Sequence, residues 1–316
     1  MKSLKARHIE AMVAYLFLLP NLLGFLIFAS LPVLVSLALS FFDAKLAPWP
    51  ATLSTEFVGF GNFVKLLGLH LKDGMWVAND PKFWKFTGNT LFLMMAIPFQ
   101  MFSSLILALL YNQKLRGVVV YRTLYFLPAI SQGVGTLLLW QWVYNPNFGL
   151  LNSMIAKIGD MLNINLQGPN WLGSEAWAKP SLMIMGLWAV IGGHNAILYL
   201  AALQNIPKDF YDAASVDGAN AWQKFWYVTW PMISPTTFFI TIMAVIFGFQ
   251  SGFMQAYIMT RGGPNQATTT LEYYIFKNFY EWGHVGYAAT VAWFLFIVIF
   301  IITLLNWRFG GKLVHY

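Results

Sequence analysis

Residues 204–235 read QNIPKDFYDAASVDGANAWQKFWYVTWPMISP, the longest polar-bearing stretch between apolar runs in the second half of the chain. Pro207 can open a helix at its first position. Asp209 and Asp212 then lie in the first turns, where the positive end of the helix dipole favours carboxylates. Gly218 can adopt the left-handed conformation that ends a helix. The stretch therefore predicts a helix followed by a tight turn.

A second helix is predicted directly after that turn. Asn220 and Gln223 have the spacing of a capping box, in which each side chain accepts a backbone N–H of the other residue. Pro231 and Pro235 are expected to end this helix and to redirect the chain into the next apolar run. The alternative interpretation is a surface connector whose aromatic face rests among lipid headgroups.

The composition is that of an integral membrane protein. Of the 316 residues, 58% are hydrophobic and 10% are charged, against roughly 25% charged in a soluble domain. The net charge of +7 is not concentrated in a basic block, so it indicates membrane orientation and no nucleic-acid partner. The chain has no cysteine, which excludes disulfides, thiolate metal sites and cysteine nucleophiles.

Six apolar runs are each long enough to cross a bilayer as a helix, which takes about 20 residues. They comprise residues 11–42, 88–111, 121–144, 181–203, 233–257 and 286–307. The first run is too long for the core of a cleaved signal peptide, and Pro20 and Pro32 are expected to kink it. The fold class predicted is all-α, a polytopic membrane protein with six transmembrane helices.

Six spans place both termini and residues 204–235 on one side of the membrane. The N-terminal tail and the short link at 111–122 hold six Lys or Arg residues beside span ends, where the positive-inside rule has most force. The segments on the other side are longer and hold eight of the twelve acidic residues. Both termini are therefore predicted to be cytoplasmic.

Small and acidic residues recur in a fixed order within residues 204–235. They are Asp212, Ala213 and Ala214, then Asp217, Gly218 and Ala219, with Phe225, Pro231 and Pro235 further on. This order resembles the EAA loop of ABC-importer permeases, which docks on the ATP-hydrolysing subunit and transmits its movement. Asp212 replaces the usual Glu of that family, which keeps the charge and shortens the reach. We call residues 204–235 the coupling loop.

Other stretches strengthen the resemblance. They are YLFLLPNLLGFLIF (15–28), GFGNFVKLL (59–67), LRGVVVYRTLYFLPAI (115–130), NPNFGLLN (145–152), ALQNIP (202–207) and RGGPNQATTTLEYYI (261–275). Together they resemble the carbohydrate-uptake branch of these permeases. The resemblance implies a type I ABC importer architecture in the bacterial cytoplasmic (inner) membrane, and uptake of a sugar, an oligosaccharide or glycerol phosphate.

The resemblance also implies partners and a division of the chain. The expected partners are membrane lipid, a second homologous permease, two ATP-binding subunits, and a periplasmic or lipid-anchored solute-binding protein. Residues 1–87 would hold the tail, the first span and an external segment. Residues 88–307 would form the permease core of five spans, and residues 308–316 a cytoplasmic tail.

Two absences in the sequence weigh against an ion-coupled transporter and against ATP hydrolysis by this chain, which is not expected to be an enzyme. The predicted span interiors contain no Asp, Glu, Lys or Arg, whereas ion-coupled carriers usually need an intramembrane acid or base. The chain also lacks a G-x-x-x-x-G-K-[ST] motif, so ATP and Mg²⁺ are expected in a partner subunit and no cofactor in this chain. The alternatives are a secondary, ion-coupled transporter and a membrane-embedded glycosyl- or acyltransferase.

Three polar clusters on the third, fourth and fifth spans are candidates for a solute path. The first is Ser131 and Gln132, the second His194 and Asn195, and the third Gln250, Ser251 and Gln255. Sugar hydroxyls pair with such amides and hydroxyls. For any one residue, a hydrogen bond to a neighbouring helix is the stronger interpretation. No metal is expected at His194, because no second histidine or acid lies within a turn or two.

Overall fold

A computed structural model of the chain describes residues 2–47, 52–113 and 116–310. The chain is predominantly helical, as predicted, and it also contains two small antiparallel hairpins. It divides into two compact units. The first unit comprises Met1–Asp80 and Ile275–Phe294, and the second comprises Pro81–Tyr274 and Leu295–Tyr316. Most of the predicted tail, from residue 311 onward, lies outside the described residues.

The first unit begins with a long helix. It consists of α1 (Lys2–Phe25), a π turn (Leu26–Ser30) and α2 (Leu31–Leu39). In the π turn the N–H of Leu31 bonds to the carbonyl of Leu26, five residues back. A proline cannot donate to the helical ladder and its ring crowds the preceding turn, so the wider turn just before Pro32 accommodates it. Pro20 lies inside α1, where a kink stays a prediction.

The polar segment after this helix folds by backbone pairing. It contains β1 (Phe42–Leu46) paired with β2 (Leu53–Phe57), α3 (Gly61–Leu67), and β3 (Leu69–Lys72) paired with β4 (Met75–Ala78). The buried amide of Asn62 donates to the carbonyls of Ser40 and Phe42 at 3.0 and 2.9 Å. The N–H of Leu46 bonds to the carbonyl of Gly283 at 2.8 Å. These bonds satisfy polar groups that burial would otherwise leave unpaired.

The second unit holds most of the remaining helices. They are α4 (Pro81–Met94), α5 (Ile97–Tyr111), α6 (Val118–Ile130), α7 (Val134–Val143), α8 (Leu150–Leu162), α9 (Glu175–Val190), α10 (His194–Gln204), α11 (Lys208–Val216), α12 (Ala221–Lys224), α13 (Trp230–Phe249) and α14 (Phe253–Gln255). Residues of α15 (Leu271–Phe276) and α16 (Val285–Leu305) are divided between the two units. The helices α5, α10 and α13 surround a buried core in which Ala108, Ala196 and Ile233 are fully enclosed.

The structure supports six spans, two of which are broken. Four helices in the described part of the chain are long and apolar enough to cross a membrane: His8–Leu39, Pro81–Tyr111, Ala221–Phe249 and Val285–Arg308. The pairs α6 with α7 and α9 with α10 bend by 100° and 42° at short breaks. Counting each pair as one span brings the total among the described residues to six. The breaks contain glycine, and Gly133 in the first has a φ of 142° that favours this residue.

The fifth span begins earlier and ends earlier than predicted. The prediction that Pro231 and Pro235 end a helix is wrong, because both lie in one continuous helix from Ala221 to Phe249. A π turn at Phe225–Thr229 precedes Pro231 and gives its ring room. The carbonyl that Pro235 cannot bond, that of Pro231, accepts the hydroxyl of Ser234 at 2.7 Å. These local adjustments compensate for the missing backbone hydrogen bonds, so the helix continues where an end was predicted.

Candidate coupling loop and solute path

The first half of the coupling loop has the predicted helix and turn. The helix α11 begins at Lys208, and Pro207 precedes it as the N-cap instead of occupying its first position. Gly218 has a φ of +78°, which confirms the predicted left-handed turn. The N–H of Ala219 closes this turn on the carbonyl of Ala214 at 2.9 Å. The chain thus reverses tightly between α11 and α12.

The second half begins with the predicted capping box. The N–H of Gln223 donates to Asn220 Oδ1 at 2.9 Å, and the N–H of Asn220 donates to Gln223 Oε1 at 2.8 Å. Two backbone donors that no helical carbonyl can reach are therefore satisfied. The box fixes where α12 starts, and so fixes the length of the turn.

Side chains hold the two halves together and against the core. Tyr211 in α11 and Thr229 in the π turn are hydrogen-bonded through their hydroxyls at 2.9 Å. Lys224 Nζ donates to Ser215 Oγ at 2.7 Å. Tyr211 also packs, with Phe225, against the buried core of α5, α10 and α13. A force on α11 is therefore passed to three spanning helices.

The candidate docking residues lie on the surface of the loop. Asp212, Ala213, Asp217 and Gly218 are exposed, and Ala214 and Ala219 are partly exposed. Val216, which sequence reasoning missed, has 88% of its surface exposed at the end of α11. An apolar residue between Ser215 and Asp217, in an otherwise polar turn, was the available signal. Small and apolar groups at an exposed helix tip suit insertion into a groove.

Each of the three polar clusters lies beside a helix break. Ser131 and Gln132 lie between α6 and α7, and His194 and Asn195 open α10. In the third cluster, Gln250 and Ser251 follow α13, whereas Gln255 lies beyond that break at the end of α14. Irregular backbone at membrane depth is tolerated only where it is buried in protein or lines water. The breaks therefore mark positions where a polar path can exist.

Contacts between helices bring some of these clusters near one another. The rings of Phe126 in α6 and His194 in α10 have centroids 6.1 Å apart. A Cβ at Gly192 would lie 2.1 Å from the carbonyl oxygen of Tyr125, so the break before α10 packs closely on α6. Gln141 in α7 donates to the carbonyl of Ile258 at 2.9 Å, beyond the third cluster. No hydrogen bond between described residues joins one cluster to another.

The polar clusters do not bond neighbouring helices. Ser131 Oγ donates to the carbonyl of Leu127 at 2.8 Å, and Ser251 Oγ to that of Gly248 at 3.3 Å, both in the preceding turn. In the part of the chain that the structure describes, five side chains of these clusters make no hydrogen bond. They are those of Gln132, His194, Asn195, Gln250 and Gln255. Among the same residues, no group of three His, Asp or Glu could hold a metal ion.

Sequence reasoning missed a polar network in the second unit. Asn89 in α4 donates to the carbonyl of Thr269 at 3.0 Å, and its own Oδ1 accepts Lys179 Nζ at 3.1 Å. Lys179 was not identified because the predicted span starts at residue 181, whereas the helix α9 begins at Glu175 and includes Lys179. A lone Asn inside the apolar run 88–111 was the available signal, since buried amides need partners.

Comparison with known proteins decides the family. The family described as binding-protein-dependent transport system inner membrane component matches residues 74–310, more than half of the chain. The chain belongs to this family. It is therefore a multi-pass inner-membrane permease, and membership favours transport over the enzyme alternative.

Several relatives are similar over most of this permease. It is 34% identical to the lactose transport system permease protein LacF of Rhizobium radiobacter, over 92% of each chain. It is 31% identical to the sn-glycerol-3-phosphate transport system permease protein UgpA of Yersinia pestis, over 84% of each chain. It is also 30% identical to the probable ABC transporter permease protein YesP of Bacillus subtilis, over all of this chain and 96% of that one.

A solved structure confirms the fold. The permease matches a chain of a bacterial ABC transporter involved in the import of the acidic polysaccharide alginate, with a TM-score of 0.80. The two chains are 23% identical, and the match covers 98% of this permease and 99% of the other chain. The predicted helical architecture of an ABC-importer permease is therefore confirmed.

Proposed function

We propose that this permease forms the translocation path of an ATP-driven, binding-protein-dependent importer of a sugar, an oligosaccharide or glycerol phosphate. The names of the relatives LacF and UgpA, which specify lactose and sn-glycerol-3-phosphate, support this class of solute. ATP hydrolysis, with its Mg²⁺, belongs in this proposal to a separate subunit. The partners are a second permease, two such ATPases and an external solute-binding protein.

The observation that carries the proposal is the exposed coupling loop fixed to the helical core. Ala213 and Ala214 present a small shoulder to the surface, while Tyr211 bonds Thr229 and packs on the core. A groove in the ATPase that holds this shoulder can move it without deforming the loop. An ordinary connector has no need of a rigid link between its exposed tip and three spanning helices.

Movement of the loop reaches two spans directly. The helix α10 leads into α11 through the buried Ile206, and α12 continues into α13 without a break. When ATP closes the ATPase pair, the groove that holds the loop moves and both spans move with it. The spans then change from inward-facing to outward-facing and accept solute from the docked binding protein.

The aromatic face of α12 and the π turn after it fits the membrane interface in this arrangement. Trp222 and Tyr227 expose 69% and 80% of their surface, at the start of the helix that becomes the fifth span. Tryptophan and tyrosine favour the headgroup region. This face rests in the lipid interface and leaves the shoulder of α11 accessible to the ATPase. The coupling loop and both termini lie in the cytoplasm in this proposal.

The chemistry of the polar clusters supports a hydroxylated solute. They offer amides, hydroxyls and one imidazole, and His194, Gln132 and Gln250 are exposed. Amide groups both donate and accept hydrogen bonds, as sugar hydroxyls do. We assign these clusters to the solute path.

Uptake into proteoliposomes containing the assembled complex tests the proposal. Lactose, sn-glycerol-3-phosphate and a set of oligosaccharides are offered with the co-purified binding protein. We expect uptake of one of these solutes to require internal ATP and to persist with an uncoupler. Uptake driven by an ion gradient without ATP would contradict the proposal and would favour a secondary transporter.

A further inference from the structure

A partly buried carboxylate bonds the chain at the break that follows the fifth span. The helix α13 ends at Phe249 and α14 begins at Phe253. The N–H of Phe253 stands at the start of a new helical segment, where no helical carbonyl is available to it. It donates to Glu272 Oε2 at 2.8 Å. An ionised carboxylate accepts a stronger hydrogen bond than a neutral oxygen does.

The same break fits closely against the chain around Thr270. Gly252 has a φ of +105°, and a Cβ at this position would lie 2.6 Å from Thr270 Cγ2. Both the backbone conformation and the lack of room exclude a side chain there. The break and residues 268–272 are therefore complementary in shape as well as hydrogen-bonded.

The segment that carries Glu272 is itself fixed to the second span. The three threonines at 268–270 are buried. Asn89 donates to the carbonyl of Thr269 at 3.0 Å, and Thr90 Oγ1 accepts the N–H of Leu271 at 3.0 Å. Both Asn89 and Thr90 belong to α4, and both are buried. Glu272 thus links the segment that α4 holds in place to the irregular backbone between α13 and α14.

The side chain of Glu272 is partly shielded from water. Burial raises the pKa of its carboxyl, and the bond from the Phe253 N–H opposes that rise. A polar group held away from water costs free energy when it loses its partner. The contact therefore restrains the backbone more strongly than an exposed hydrogen bond would.

We propose that Glu272 is a positioning residue that sets the break after the fifth span and so orients Gln250 and Ser251 in the solute path. It contacts neither of these side chains and acts through the N–H of Phe253. The proposal rests on the proposed function for the role of Gln250 and Ser251. The role of Glu272 in fixing the break can be measured separately.

Cysteine labelling of the assembled complex measures the break itself. The chain has no native cysteine, so Ser251→Cys can be labelled alone with a membrane-impermeant maleimide. Loss of a charge-assisted bond in Glu272→Ala is expected to raise the labelling rate at residue 251 about tenfold. Glu272→Gln keeps an acceptor oxygen in the same place, and we expect a smaller rise.

Two controls separate this local effect from general damage. Glu281→Ala removes an acid whose side chain is 38% exposed and 3.9 Å from Lys277, and it should leave labelling at residue 251 unchanged. Met161→Cys, on the exposed face of α8, should be labelled at the same rate with Glu272 or with Ala at position 272. A merely structural role would alter labelling at both sites.

The outcomes decide the proposal. Wild-type labelling of Ser251→Cys in an assembled Glu272→Ala complex overturns it, and so does failure of both variants to assemble. Raised labelling supports it, with uptake about tenfold slower for Glu272→Ala and partly rescued by Glu272→Gln. If labelling rises while Gln250→Ala and Ser251→Ala transport normally, Glu272 still sets the break, and the assignment of the solute path is wrong.

Discussion

Gly218 determines how the coupling loop reverses direction. Its φ is +78°, and a Cβ built there meets no atom within 4 Å. Space is therefore available, and only the backbone conformation selects glycine. A β-branched residue is a steric outlier in this region, whereas asparagine tolerates it.

We expect Gly218→Val to disrupt the turn and Gly218→Asn to retain it. The two variants should differ by about 1 kcal/mol in the stability of the turn. Co-purification of the ATPase with the permease measures the effect, and Asn should preserve it better than Val. Gly24→Val is a matched control, since Gly24 has equal room and no positive φ. Equal retention of the ATPase by both Gly218 variants would refute the argument.

The turn could be predicted because its signals are local. Gly218, Asn220 and Gln223 each act within a few residues of their own position, and all three predictions are confirmed. Glu272 could not be identified in this way. Its partner is the N–H of Phe253, 19 residues earlier, and nothing near either residue in the sequence indicates the contact.

Spanning helices were easier to locate than their breaks. An apolar run of about 20 residues predicts a span, because a helix needs about that length to cross the hydrocarbon core of the bilayer. The run 121–144 nevertheless contains a bend of 100°. Prolines, in contrast, predicted helix ends that do not exist. Pro231 and Pro235 lie inside a continuous helix, in which a π turn gives room to Pro231 and a serine hydroxyl bonds the carbonyl that Pro235 cannot reach.

Membrane topology can be tested at two exposed helical positions. Val216 at the end of α11 is 88% exposed and Met161 in α8 is 84% exposed. We expect Met161→Cys to react with an impermeant thiol reagent in cells whose outer barrier is permeable. Val216→Cys should react only after lysis, because the positive-inside rule predicts a cytoplasmic loop. The reverse labelling pattern would place the coupling loop on the outer side of the membrane and would contradict the predicted topology.

The permease as a whole is expected to depend on a partner for its energy. The chain has no P-loop motif, so the purified chain should hydrolyse no ATP. The assembled complex should hydrolyse it, and vanadate should inhibit that activity. Vanadate-sensitive hydrolysis by the chain alone, after removal of contaminating ATPases, would disprove this division of labour.

The most direct test of the account is ATP hydrolysis by the assembled complex of the Ala214→Trp permease. Ala214 is partly exposed in the shoulder of α11, and overpacking of a close interface commonly costs about 1 to 3 kcal/mol. Ala176→Trp, at an exposed position in α9, makes the same change away from the loop.

The quantity measured is the stimulation of ATP hydrolysis by solute-loaded binding protein. We predict that Ala214→Trp abolishes the stimulation or releases the ATPase, while the permease still reaches the membrane and pairs with its second permease. Ala176→Trp should behave as the wild type does. Full stimulation and normal uptake by Ala214→Trp would show that the loop is only a connector and would contradict the account.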